Sequence, residues 1–165
     1  NLSGTLEKVH EAGIIHGGIK PHNILVDTNT FETRLIDFIS ILDVRDVSHF
    51  IYDPFFIRES LSYTSPEQTG RIGHRMSFSS DLYTLGVVFY ELLSGRLPFS
   101  YDDPLELIHS HLAEEAPEVH EINPDVPKVL SKIVARLMAK EPEKRYHSAG
   151  SLSADLLRCR NEYNS

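Results

Sequence analysis

The sequence predicts a mainly α fold with a small β-hairpin near its start, and two patterns carry that expectation. Through the second half, apolar residues recur at i, i+3 and i+4 between residue types that cap helices. Near the start, two short β-type runs flank the polar turn Asp27-Thr28-Asn29-Thr30. A chain of 165 residues is enough for one domain burying roughly 70% of its extended surface, and the 41% hydrophobic content is that of a globular protein.

Leu2, Leu6 and Val9 share one helical face, and Gly13 closes that helix as a left-handed cap. Ile14-Ile15-His16 is a short β-like run leading into a loop that lasts to Asn23. Ile24–Val26 and Arg34–Ile36 are the predicted hairpin strands. From Asp37 to Glu67 no period is sustained, so a long, partly irregular segment is expected, of the kind that usually serves function. Ser79-Ser80-Asp81 opens a helix carrying Leu82, Leu85, Val88, Phe89, Leu92 and Leu93, and Gly95 ends it. Because its apolar residues occupy more than one face, this helix belongs in the centre of the molecule. Asp103-Pro104-Leu105-Glu106 combines a cap, a first-turn proline and the glutamate of a capping box. The stripe Leu130, Ile133, Val134, Leu137 and Met138 predicts a helix ending before Pro142, and Leu152, Leu156 and Cys159 line a last one. The proline-rich piece from Pro117 to Pro127 is expected to connect helices.

A net charge of −8, with no basic stripe in the sequence to release counterions, argues against a surface for nucleic acid or an anionic membrane. No apolar run reaches membrane-spanning length. A lone Cys159 cannot form an internal disulfide, in keeping with an intracellular, cytoplasmic setting. His109 and His111 lie two apart on a helix and face apart, so no zinc site is expected there. The first residues are already helical, which predicts that residues 1–165 are one piece of a larger protein.

The chemistry-bearing stretch is His16-Gly17-Gly18-Ile19-Lys20-Pro21-His22-Asn23, followed by Ile24-Leu25-Val26 and then Leu35-Ile36-Asp37-Phe38. Protein kinases write a phosphoryl-transfer loop as H-R-D-L-x-x-x-N and follow it with a metal-binding Asp-Phe-Gly. The chain resembles the C-terminal (large) lobe, and only that lobe, of a eukaryotic-type serine/threonine protein kinase. The resemblance implies that Asn23 and Asp37 are magnesium ligands and that Lys20 reaches toward the terminal phosphate of ATP. It also implies that His16 supports packing behind Phe38, and that Glu67 of Ser65-Pro66-Glu67 pairs with buried Arg145. Breaking such a pair commonly costs ~3–5 kcal/mol. Asp81, with Leu85-Gly86, matches a helix start whose aspartate tethers the loop backbone; a plain helix cap is the alternative. Leu25, Val88 and Leu92 match positions of an internal hydrophobic column in that family.

The departures are as informative. Gly18 stands where the aspartate that accepts the substrate hydroxyl's proton belongs, and a positioned base is worth ~10²–10⁴ in rate. Gly17 removes an arginine that would pair a phosphorylated segment. Two adjacent glycines also loosen the loop, at ~0.5–1 kcal/mol each. Ile39 replaces a glycine whose backbone freedom a β-branched residue lacks. Together these make the chain resemble a pseudokinase.

A second resemblance covers roughly the last hundred residues. Tyr63-Thr64-Ser65-Pro66-Glu67-Gln68-Thr69-Gly70-Arg71, Gly95-Arg96-Leu97-Pro98-Phe99 and Ile122-Asn123-Pro124 are similar to the kinase-like N-terminal region of large hybrid sensor histidine kinases. That implies a parent protein in two-component signalling. No Gly-rich strand pair or Val-Ala-Ile-Lys strand precedes Leu2. ATP and magnesium are therefore expected of a full-length protein and not of this fragment alone. Exposed apolar surface on the small-lobe side is expected to favour aggregation. The expected function is a catalytically impaired regulatory or docking module whose partners are proteins or adjoining signalling domains. Its docking surface would include the helix from Pro104 and the connector around Ile122–Pro127. The alternative is an active kinase using Lys20, Asn23 and Asp37 without the usual base. An unrelated helical domain would have to lack the Ile24–Ile36 hairpin.

Overall fold

A computed structural model describes residues 2–38 and 59–163 of the chain. Ile39, and most of the segment expected to be irregular, lie outside the described residues. The elements are helix α1 (Leu2–Glu11), strands β1 (Ile24–Val26) and β2 (Thr33–Leu35), and helices α2 (Phe78–Ser94), α3 (Pro104–Ala113), α4 (Val119–Ile122), α5 (Lys128–Leu137) and α6 (Ala149–Tyr163). Short 3-10 turns at Pro21–Asn23, Pro66–Thr69 and Pro142–Lys144 each begin on a proline, whose fixed φ suits a helical first turn.

Helix α2 is central, as its all-round apolar pattern requires. Leu82, Tyr83, Leu85 and Val87 have no exposed surface, and a fully buried leucine contributes about 1.5–3 kcal/mol. It starts one residue earlier than expected: Ser77 is the cap, and its N–H donates to Ser80 Oγ at 3.1 Å. Asp81 is thus inside the helix and free for another role. Gly95 ends the helix at φ +74°, and Gly13 closes the first helical segment at the same angle. Gly86 lets α5 approach closely, since a Cβ there would lie 2.7 Å from Leu137 Cβ.

The hairpin pairs Ile24 with Leu35, Leu25 with Arg34 and Val26 with Thr33, one residue earlier on the second strand than the sequence suggested. Its turn is held by Asp27 Oδ1, which accepts from Asn29 and Thr30 N–H at 2.8 and 2.9 Å. Those donors favour the ionised carboxylate and hold the Asp27 pKa below its usual range. Helix α1 connects the hairpin to α6: Thr5 Oγ1 donates to Thr33 O at 3.1 Å, and Ser153 Oγ donates to Ser3 Oγ at 2.9 Å.

Other expectations need correction. Ile14-Ile15-His16 forms no strand, and the connector from Pro117 to Pro127 contains the short helix α4. Val88 is buried, but Leu25 is 51% and Leu92 is 70% exposed, so these three do not form an internal column here. Leu92 lies past the buried span of α2, and Leu25 is exposed on a two-stranded sheet. With Val26 and Phe31 also exposed, the hairpin carries an apolar surface. No described helix is long and apolar enough to cross a membrane.

Candidate active-site loop and its supports

The loop from His16 to Asn23 is held from beneath by Asp81. Its Oδ2 accepts from His16 N–H and its Oδ1 from Gly17 N–H, both at 2.8 Å, and the carboxylate is 1% exposed. His10 Nε2 lies 2.9 Å from the same Oδ2, and its ring stacks on Phe78 with centroids 4.6 Å apart. A buried carboxylate costs heavily unless its lone pairs are satisfied, and these donors satisfy them. Asp81 therefore tethers the loop rather than capping α2.

Gly17 adopts φ +73°, a left-handed conformation open to glycine without strain. That glycine fits the loop rather than merely loosening it. Gly18 is not among the positive-φ glycines. Its N–H donates to His16 Nδ1 at 3.2 Å, and its carbonyl accepts from Asn23 Nδ2 at 2.8 Å. His16 is fully buried, with Nε2 3.0 Å from Ile36 O; Nε2 carries the proton and Nδ1 accepts. Burial lowers the His16 pKa, partly offset by the charge of Asp81, so the ring is neutral. Its ring contacts Phe38 at a centroid distance of 4.5 Å, and Phe38 is 45% exposed.

Asn23 and Asp37 are brought together through the backbone, because Ile36 N–H donates to Asn23 O at 3.0 Å. Asn23 is buried, and with Nδ2 committed to Gly18, Oδ1 is the amide atom left to face a cation. Asp37 is exposed and sits at φ +54°, a left-handed geometry that aspartate tolerates better than most residues. Lys20 Nζ lies 3.2 Å from Glu59 Oε1, and His22 Nδ1 lies 2.9 Å from the same oxygen. No group of three or more His, Cys, Asp or Glu side chains is placed to hold a metal among the described residues.

Farther back, Arg145 is buried with Nη1 2.6 Å from Glu67 Oε1, and both side chains have no exposed surface. The guanidinium also donates to the carbonyls of Ser79, Ala139 and Lys140 at 2.9, 2.7 and 2.9 Å. It therefore joins the Pro66–Thr69 turn, the start of α2 and the segment after α5. His109 is exposed, whereas His111 is buried, with Nδ1 3.0 Å from Tyr83 Oη and its ring edge-on to Phe99.

Sequence reasoning missed Gln68, whose Nε2 donates to Gly17 O at 2.7 Å while its Oε1 accepts from Ser65 N–H at 2.9 Å. It ties the Ser-Pro-Glu turn to the loop. Its place beside Glu67 in that string was the available signal. Glu59 and His10 were missed as well, because their partners are distant in sequence.

The model of the protein kinase domain family matches residues 1–156. Over 101 residues the chain is 52% identical to hybrid signal transduction histidine kinase G of Dictyostelium discoideum, which covers 61% of this chain and 3% of that protein. It is 35% identical over 157 residues to serine/threonine-protein kinase PrkC of Bacillus subtilis, covering 94% of this chain and 23% of that one. It is 33% identical over 162 residues to a probable serine/threonine-protein kinase of Clostridium acetobutylicum, covering 98% and 24%. The chain thus spans less than a quarter of the length of these relatives. The match at residues 1–156 runs across the helical body around α2, the two-stranded hairpin and the loop from His16 to Asn23, and the chain belongs to the protein kinase domain family.

Proposed function

We propose that the chain is the large-lobe part of a kinase-fold module in signalling, impaired in phosphoryl transfer and acting by docking within a larger protein. The observation that carries this reading is Gly18. It sits in a loop otherwise well supported by Asp81 and Gln68, yet it offers no carboxylate to take a proton. General-base assistance is worth about 10²–10⁴ in rate, so its loss alone would reduce turnover to a residue of the family's usual level. The 52% identity to a hybrid signal transduction histidine kinase supports a parent that carries other signalling modules. The exposed Leu105 of α3 supports a docking face on that helix.

A magnesium nucleotide fits the residues present to a limited extent. Asn23 Oδ1 and the Asp37 carboxylate are hard oxygen donors of the kind that, with phosphate and water oxygens, suit magnesium. When bound, the ion would neutralise charge on the phosphates. Asn23, oriented by Gly18 O, and Asp37, held beside it by the Ile36 hydrogen bond, would present those oxygens. The left-handed backbone of Asp37 favours a second reading, an active kinase that works without the loop acid, because strained backbone tends to persist at functional sites.

Gly18→Asp separates the two. Its backbone is outside the left-handed region, so the side chain can be introduced without that strain. In the full-length parent, we expect the substitution to raise phosphotransfer by at least ~10²-fold. Normal turnover by the unmodified parent would refute impairment.

A further inference from the structure

We propose that Glu59 is a positioning residue that supplies the carboxylate partner of Lys20 missing from the loop at Gly18, and thereby competes with phosphate for that lysine. This rests on Lys20 being the phosphate-directed cation of the site. The pair is well enclosed: the Lys20 and Glu59 side chains are 12% and 21% exposed. One oxygen, Oε1, lies 3.2 Å from Lys20 Nζ and 2.9 Å from His22 Nδ1. Oε1 is buried and makes no hydrogen bond of good geometry, so its hold on Lys20 is one of charge at short range.

The contact is built into the fold. Residues 59–62 form a helical turn, and Thr64 Oγ1 donates back to Ser60 O at 3.1 Å. Tyr63, directly after this turn, is anchored to α2 through a 2.5 Å hydrogen bond from its hydroxyl to Glu91 Oε2. Lys20 is fixed from the other side by Pro21, which opens the 3-10 turn ending at Asn23. Phosphate oxygens and Glu59 Oε1 are alike in charge and in the donor they require, so an incoming phosphate must displace the carboxylate. The charge balance that a loop aspartate would give is thereby kept, but the acid comes from a segment far along the chain.

The test is a titration of the full-length parent protein with magnesium ATP, read by calorimetry, alongside acyl labelling of lysines read by peptide mass spectrometry. Glu59→Gln keeps the shape and removes the charge. It should tighten ATP binding about fivefold, the scale of one partly exposed ion pair. Labelling of Lys20 should rise as well, and Glu59→Asp should restore the low affinity. Adding Lys20→Met to Glu59→Gln should abolish the gain. An affinity unchanged or weakened by Glu59→Gln, a gain that survives Lys20→Met, or no detectable binding by either protein would overturn the proposal. Those outcomes concern binding only, so they leave the phosphotransfer result for Gly18→Asp standing or falling by itself.

Discussion

At the residue scale, much rests on single side chains whose partners are fully buried. Asp81 receives the N–H groups of His16 and Gly17, both inside the protein. Asp81→Ala would leave those donors unsatisfied, and each buried unsatisfied group costs about 1–3 kcal/mol. We expect a loss of roughly 2–5 kcal/mol in urea unfolding, with Asp81→Asn losing less because its Oδ1 can still accept one bond. His111 sets a pH dependence. Burial, reinforced by the charge of Lys140, holds its pKa down to about 3, and burial lowers His16 in the same direction. The unfolded chain takes up these protons near pH 6.5 while the folded one resists them, so stability is full above that value and falls as pH drops toward 3. Each such group contributes at most ~1.4 kcal/mol per pH unit. His111→Gln should flatten the decline between pH 6.5 and 4.5 in urea unfolding; parallel curves for the two proteins would contradict this assignment.

At the scale of elements, the contact between α2 and α5 is the tightest to test. A methyl at Gly86 would meet Leu137 Cβ at 2.7 Å and Met138 Cγ at 3.0 Å. Gly86→Ala gains helix propensity of up to ~1 kcal/mol but forces the two helices apart. Overpacking of this kind costs about 1–3 kcal/mol, so a net loss is expected in thermal or urea unfolding. A stabilised variant would show that α5 can move aside. The loop element illustrates the opposite case. At Gly17 the φ of +73° matches the residue, so the glycine that removes a family arginine also relieves backbone strain.

At the scale of the whole molecule, the scaffold is held together by contacts that do not involve Gly18. The Glu67–Arg145 pair is completely buried, and the guanidinium's further donors are spent on three backbone carbonyls. Such a network is costly to leave half-satisfied, which ties the Pro66–Thr69 turn to the far end of the helical body. A frame held this firmly can present surfaces to partners even where the loop lacks its acid. Leu25, Val26 and Phe31 are exposed on the hairpin, and because successive strand residues point to opposite faces, Leu25 and Val26 leave apolar surface on both sides of it.

The sequence by itself determined the mainly α body, the hairpin, both glycine caps and the fact that His16, Asn23 and Asp37 belong to one loop system. The body, hairpin and caps follow from local periodicity and turn chemistry, each written within a few residues, while the grouping of the three loop residues is what the resemblance to the kinase motifs implied. Boundaries moved by a single residue at Ser77 and at Thr33, where capping and register depend on neighbours outside the window. The exposure of Leu92 and Leu25, the role of Asp81 as tether, Gln68 on Gly17 and Glu59 on Lys20 were decided by tertiary structure alone. Each depends on a partner brought in from a distant part of the chain. Spacing along one segment carries no record of which remote carboxylate or carbonyl will fill a hydrogen bond; only the packing of the helices around α2 assigns it.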